Sequence, residues 1–271
     1  PAATADAADA AALAECLSEA LAMLNAARQP VILAGVEVHR FGLQEALVQL
    51  VEKTRFPVAA TLLGKSVISE DHPLYLGVYE GAMGHAEVQR YVEDADCVLM
   101  LGCFMTDINL GIYTANLEPG RTIYATSERT SIRRHQFGEV HLPSLMQGLL
   151  QASWRRRARP RLPPREPPWG ERAAGDSRVT IRALFQRLNE FLTPDMVVIA
   201  DIGDSLFGAA DLTIHRRTEF ISPAYYTSMG FAVPASVGAQ LANSALRPLA
   251  IVGDGAFQMT GLELSTTARL G

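Results

Sequence analysis

The sequence predicts two α/β units, each an open, mainly parallel sheet with helices on both faces. Three observations carry this reading. Short, continuously apolar runs (Pro30 to Gly35, Cys97 to Gly102, Met196 to Ala200, Leu249 to Val252) alternate with segments of helical apolar spacing. Gly35 and Gly102 each end such a run, where sheets of this kind place their ligand crevices. A stretch rich in Arg and Pro, Arg155 to Arg178, interrupts the alternation and separates residues 1–154 from residues 179–271.

Composition sets the bounds. The 271 residues are 48% hydrophobic and 20% charged with a formal net charge of −5, which is ordinary globular composition with room for two domains. A mildly acidic balance gives no electrostatic case for nucleic acid or an anionic membrane. No apolar run is long enough to cross a bilayer and no signal peptide is visible, so a cytoplasmic protein is expected. Cys16, Cys97 and Cys103 lack metal-ligand spacing and read as buried, reduced thiols.

In chain order, the segment before Ala7 looks like the tail of a linker. Ala7 to Ala27 is a helix packed on a sheet, with Leu13, Cys16, Leu17, Ala20, Leu21 and Leu24 recurring at helical spacing. Strands follow at Pro30 to Gly35, Pro57 to Leu63, Cys97 to Gly102 and Arg121 to Ala125. Helices are expected at Gly42 to Thr54, His85 to Val92 and Leu142 to Leu150. Neither Gly35 nor Gly102 opens a GxGxxG turn, which weighs against a dinucleotide there.

Between Arg155 and Arg178, five prolines and a run of arginines forbid helix or sheet interior, so this is an inter-domain linker docked along the domain surfaces. Val179 to Leu192 then reads as an amphipathic helix whose apolar face is Ile181, Leu184, Phe185, Leu188 and Leu192. Met196 to Ala200 is a buried strand entering the turn Asp201-Ile202-Gly203-Asp204-Ser205. Glu219 to Ser222 is a short strand, and Ala235 to Ala242 a helix of small residues. Leu249 to Val252 is expected to be a strand buried on both faces, leading into Gly253-Asp254-Gly255 and a helix start.

A Gly-Asp-Gly turn at a helix start has two readings. It is a βα turn with a solvated Asp. Alternatively, its glycines let a diphosphate approach unpaired helix N–H groups while Asp254 offers a hard oxygen to Mg²⁺. The order of three segments decides between them: Gly203-Asp204-Ser205, then Ser228-Met229-Gly230-Phe231-Ala232-Val233-Pro234-Ala235, then Gly253-Asp254-Gly255-Ala256-Phe257-Gln258-Met259-Thr260. Together they resemble the diphosphate-binding domain of the thiamine diphosphate-dependent 2-oxo acid decarboxylases. Thr61-Leu62-Leu63-Gly64-Lys65, His72-Pro73, Gly77-Val78-Tyr79-Glu80-Gly81 and Thr106-Asp107-Ile108-Asn109 are similar to the family's non-catalytic middle domain. The wording around Gly77 and Gly253 is closest to phenylpyruvate and indolepyruvate decarboxylases.

The resemblance implies a Rossmann-like middle domain (1–154), a linker (155–178) and part of a thiamine diphosphate-binding fold (179–271). It also implies thiamine diphosphate and Mg²⁺ (or Ca²⁺) as cofactors. Asp254 would ligate the metal, and Gly253, Gly255 and Ala256 would receive the diphosphate, with Gly203, Asp204 and Ser205 lining the pocket from the neighbouring turn. Met229 would wedge between the cofactor's two rings, with backbone groups of Thr227 and Met229 on the aminopyrimidine edge. Ile202 would shape the substrate pocket. The substrate implied is a 2-oxo acid and the products an aldehyde and carbon dioxide, in a dimer or tetramer.

Two family elements are not found here: the N-terminal pyrimidine-binding domain with its Glu, and the Asn-containing metal segment beyond the GDG turn. A fragment that does not turn over by itself is therefore expected. An acetolactate synthase-like or benzaldehyde lyase-like carboligase, and a non-catalytic nucleotide-binding α/β module, are the alternatives.

Overall fold

The computed structural model describes residues 10–164, 179–215 and 219–270. The proposed linker beyond Pro164 as far as Arg178, the first residues of the predicted Ala7–Ala27 helix and the segment before it lie outside that range. The chain falls into two compact units that divide between Pro163 and Pro164.

The first unit opens on α1 (Ala10–Ala26), whose Cys16, Ala20 and Leu24 are buried along one face at four-residue spacing. β1 (Pro30–Ala34) follows, then a short α2 (Val36–Arg40), α3 (Gln44–Thr54), β2 (Val58–Thr61) and β3 (Tyr75–Tyr79). α4 (Ala86–Glu93), β4 (Cys97–Leu101), β5 (Thr122–Ala125), β6 (Thr130–Ile132), β7 (His135–Phe137) and α5 (Leu142–Gln151) complete it. The strands form a seven-stranded sheet in the order β3-β2-β1-β4-β5-β6-β7, parallel from β3 to β5 and antiparallel over β6 and β7. β1 and β4 pair in register from Pro30–Cys97 to Ala34–Leu101, and all ten of their residues are buried.

Alternation within these strands builds two cores. Ile32, Ala34, Leu99 and Leu101 face a cluster with Leu24 of α1, Leu47 and Leu50 of α3, and Leu145 and Leu149 of α5. Val31, Leu33, Val98 and Met100 face the opposite side, with Val88 and Val92 of α4. Each buried Val, Leu, Ile or Met side chain among them contributes on the order of 1.5–3 kcal/mol. This two-sided burial explains why the strands read as unbroken apolar runs. The β6–β7 hairpin and β3 were not among the strands predicted: β6 and β7 are three residues each and carry polar residues, so neither has a usable period.

The first residues after α5 stay with this unit. Trp154 packs edge-on against Phe56 with ring centroids 5.5 Å apart, and the Arg157 guanidinium lies 5.3 Å from the same ring. Arg157 Nη2 also donates to the carbonyls of Leu24 and Ala27, both at 2.8 Å. A cation there suits the carbonyl-rich C-terminal end of α1.

The second unit holds α6 (Ile181–Phe191), β8 (Met196–Ala200), α7 (Asp204–Ala210), β9 (Phe220–Ile221), α8 (Ala232–Ala242), β10 (Arg247–Ile251), α9 (Asp254–Thr260) and α10 (Leu264–Leu270). Its described strands form a parallel sheet in the order β10-β8-β9. β8 is buried throughout, with Val197 and Ile199 packed on Ala232, Ala235 and Ala239 of α8. Thr180 caps α6, its side chain accepting from the amide of Ala183 at 3.1 Å.

Two expectations fail in this unit. β10 is not buried on both faces: Arg247 and Ala250 are exposed and Leu249 and Ile251 only partly covered. It is the edge of the described sheet, and an apolar run does not encode what lies beside it. On α6, Phe185 alone of the predicted face is buried, while Ile181 and Leu184 are exposed. Leu188 and Leu192 are only partly covered.

Candidate functional site

β8 and β10 run parallel with Ala200 beside Ile251, so the turns that follow them emerge side by side at the C-terminal edge of the sheet. The amide of Asp201 donates to the carbonyl of Ile251 at 2.8 Å and ties the two crests together. Each turn ends in a helix: α7 starts at Asp204 behind Gly203 (φ 73°), and α9 at Asp254 behind an extended Gly253. In both, an acidic residue occupies the first helical turn, the favoured place for a carboxylate.

These helix starts hold unspent donors. In α9 the amide of Phe257 donates to the carbonyl of Gly253 at 2.8 Å. The amides of Asp254, Gly255 and Ala256 precede that bond and have no partner within the helix. In α7 Leu206 and Phe207 donate to Gly203, which leaves Asp204 and Ser205 in the same position. The space above both turns is open. A Cβ added at Gly203 or Gly253 would meet no atom within 4 Å, and at Gly255 only the Cε of Met229, at 3.8 Å. Asp204 and Asp254 are exposed and Ser205 is partly covered, whereas Ala256 is buried and presents backbone alone.

The third segment closes on the same edge. Met229 is 47% exposed with its side chain toward Gly255. Thr227 takes a positive φ of 51°, unusual for a residue with a β-branched side chain, and its amide donates to the carbonyl of Pro223 at 2.8 Å. Ile202 is partly exposed beside Gly203. The residues singled out in the sequence (Ile202, Gly203, Asp204, Ser205, Thr227, Met229, Gly253, Asp254, Gly255 and Ala256) therefore come from three loops that converge at this edge of the sheet.

Sequence reasoning gave no role to two residues that hold the loops. Asp201 is fully buried. Its Oδ1 accepts from the amides of Ile202 at 3.0 Å and Gly230 at 3.2 Å, and its Oδ2 from Ala232 at 2.9 Å. Thr260, at the end of α9, donates its hydroxyl to the carbonyl of Gly230 at 2.8 Å. An acid placed directly after a wholly buried strand was the signal available for Asp201.

Metal chemistry rests on little protein. Among the described residues no group of three or more His, Cys, Asp or Glu could enclose a metal ion. A lone exposed carboxylate at an anion-receptive helix start does fit Mg²⁺, which commonly takes one or two carboxylates and completes its shell with phosphate oxygens and water. The geometry fits a magnesium diphosphate better than a resident ion.

The first unit's crest is different. A Cβ at Gly35 would lie 2.2 Å from the carbonyl oxygen of Gly102, so the two turns are in contact. Glu37 sits above them, its carboxylate accepting from the Ser127 amide at 2.8 Å and the Ser127 hydroxyl at 2.6 Å. Closely packed backbone under an acidic side chain is a poor receptor for a phosphate, which weighs against the nucleotide module.

Burial pushes the thiols of Cys16 and Cys97 up to about 12, and that of Cys103 higher still, so all three are unreactive. No described helix is long and apolar enough to cross a membrane.

Residues 17–152 match the family described as thiamine pyrophosphate enzyme, central domain, and residues 201–271 match thiamine pyrophosphate enzyme, C-terminal TPP binding domain. The chain is 34% identical to an indole-3-pyruvate decarboxylase of Azospirillum brasilense, covering 96% of this chain and 48% of that protein. It is 31% identical to pyruvate decarboxylase isozyme 1 of Saccharomyces cerevisiae (95% and 47% covered) and to an alpha-keto-acid decarboxylase of Mycobacterium avium (94% and 46%). The chain spans about half the length of the curated relatives it matches.

Proposed function

Because the chain belongs to the thiamine pyrophosphate enzymes, we propose that it forms part of a Mg²⁺-dependent decarboxylase of 2-oxo acids. Phenylpyruvate- or indolepyruvate-like substrates would give an aldehyde and carbon dioxide. The observation that carries this reading is the open double crest, where two helix starts with unspent amides each present an exposed carboxylate, Asp204 and Asp254.

Asp254 holds the metal in this reading, and the amides of Gly255 and Ala256 receive the diphosphate from one side. Gly203, Asp204 and Ser205 line it from the other. Gly253 keeps the approach clear. Bound there, thiamine diphosphate would supply the electron sink that decarboxylation of a 2-oxo acid needs. Met229 would wedge between the cofactor's two rings, backbone groups of Thr227 and Met229 would orient its pyrimidine edge, and Ile202 would help shape the substrate pocket. Residues 1–154 serve as the middle domain, 155–178 as the linker and 179–271 as the cofactor-binding part of a homo-oligomer. Three buried, unpaired thiols suit the reducing cytoplasm.

The test is product analysis with the full-length protein on phenylpyruvate, indolepyruvate and pyruvate. Aldehyde and carbon dioxide formed only when thiamine diphosphate and Mg²⁺ are both present support the reading. A carboligated product as the main outcome points to the acetolactate synthase-like alternative and overturns it.

A further inference from the structure

We propose that Asp201 and Thr260 are positioning residues that clamp the Gly230 peptide from both ends and so set the orientation of Met229 over the Gly253–Asp254–Gly255 turn. The inference rests on the cofactor-binding reading above and assigns a role to two residues outside the set that would touch the cofactor.

The clamp follows from which bonds meet at Gly230. Its amide donates to Asp201 Oδ1 at 3.2 Å and its carbonyl accepts from Thr260 Oγ1 at 2.8 Å. Both polar ends of the residue that follows Met229 are therefore fixed. Gly230 holds φ at +83°, a conformation that a side chain strains, and a Cβ there would meet Thr260 Cγ2 at 3.0 Å. A side chain there would be strained in its backbone and crowded against Thr260 and Met259.

Asp201 reaches further. Through Ala232 it holds the first residue of α8, through Ile202 its own crest, and through its amide the end of β10. The buried carboxylate thus joins two loops of the site, and the main chain of the same residue ties them to the third. A carboxylate without water must have its oxygens satisfied, and bonds from backbone amides to a charged acceptor are the stronger kind. Asn in its place keeps one acceptor and turns an N–H₂ toward an amide that also donates. Met229 itself has no polar anchor. Its side chain is about half exposed and lies near Gly255 because the backbone on its C-terminal side is pinned.

Amide hydrogen exchange and cofactor measurements on the full-length protein test the clamp. The variants are Asp201→Asn, Thr260→Val, Thr260→Ser and Met229→Ala. Asp201→Asn should speed exchange at Gly230 and Ala232 by about 10- to 100-fold, the scale of a lost charge-assisted bond. Thr260→Val, which keeps its shape and folds even if Asp201→Asn does not, should speed exchange at Gly230 by roughly 5- to 10-fold, and Thr260→Ser should restore it. With cofactor bound, Thr260→Val should slow exchange of the cofactor's C2 hydrogen while leaving thiamine diphosphate affinity within about twofold. It should add little to Met229→Ala, because residues acting through one another are not additive.

Unchanged protection at Gly230 in a folded Thr260→Val protein overturns the clamp. So do Thr260→Val and Met229→Ala effects that simply multiply. If the wild type binds no thiamine diphosphate, the functional reading fails, and the exchange data still decide the clamp.

Discussion

Two crests of the same design sit at the ends of the two sheets, and they are built to opposite purposes. In the first unit, glycines after β1 and β4 bring backbone into contact with backbone, 2.2 Å from where a Cβ at Gly35 would stand, and Glu37 uses up the Ser127 donors above them. In the second, the glycines at the corresponding places after β8 and β10 border empty space, and the helix amides beyond them are unspent. The motif of strand, glycine and helix does not distinguish the two. What distinguishes them is whether the glycine faces protein or faces out, and that is a property of packing.

Substitutions at the paired glycines should pull this contrast apart. The largest effect is expected from Gly35→Ala, whose methyl group has no space beside Gly102. Overpacking of backbone on this scale costs about 3 kcal/mol. For a unit of this size that lowers the melting temperature by roughly 6–12 °C, read by calorimetry. A melt unchanged within error would mean that the first crest is as open as the second.

Gly253→Ala should do the reverse. Gly253 has φ −71° and ψ 156°, ordinary for any residue, and no atom lies within 4 Å of its Cβ position. Stability should stay within about 0.5 kcal/mol. The new methyl group would still intrude where the diphosphate approaches, and we expect thiamine diphosphate affinity in titration calorimetry to fall about tenfold, or about 1.4 kcal/mol. Unaltered affinity would move the diphosphate away from this turn.

The smallest effect concerns His39, in the first unit. Burial holds its pKa below the ordinary value of 6.5, and its ring lies between the carbonyl of Lys65 and the amide nitrogen of Gln44. The unfolded chain binds this proton more readily, so the contribution to stability is complete above pH 6.5 and declines as pH falls below it. Thermal melts from pH 7.5 to 5 should show this decline, and His39→Asn should flatten it by a fraction of what Gly35→Ala costs. A steeper slope in the variant would contradict the neutral, buried ring.

Much of the fold was legible because two-sided burial leaves a plain trace. β1, β4 and β8, buried at every residue, were read nearly to their ends. β10 carries the same kind of run and is half-exposed, because composition records what a strand tolerates and not what stands beside it. The α6 stripe misleads for the same reason, since Phe185 alone of it is buried. Within the site, the converging turns were legible from order and glycine placement. The role of Asp201 was not, since in sequence it is one of two acids flanking Gly203 and nothing there says which of them turns inward. In three dimensions Asp201 is turned inward onto backbone amides, and Asp254 outward.

The central claim is that Asp254 grips a diphosphate through a divalent cation. Thiamine diphosphate titrated into the full-length protein, with Mg²⁺ and then with chelator, tests it directly. Saturable binding that weakens about 100-fold or more without the metal, and equally in Asp254→Ala with Mg²⁺ present, is the predicted result, a difference of about 2.7 kcal/mol. Equal affinity with and without metal, or wild-type affinity in Asp254→Ala, would contradict it.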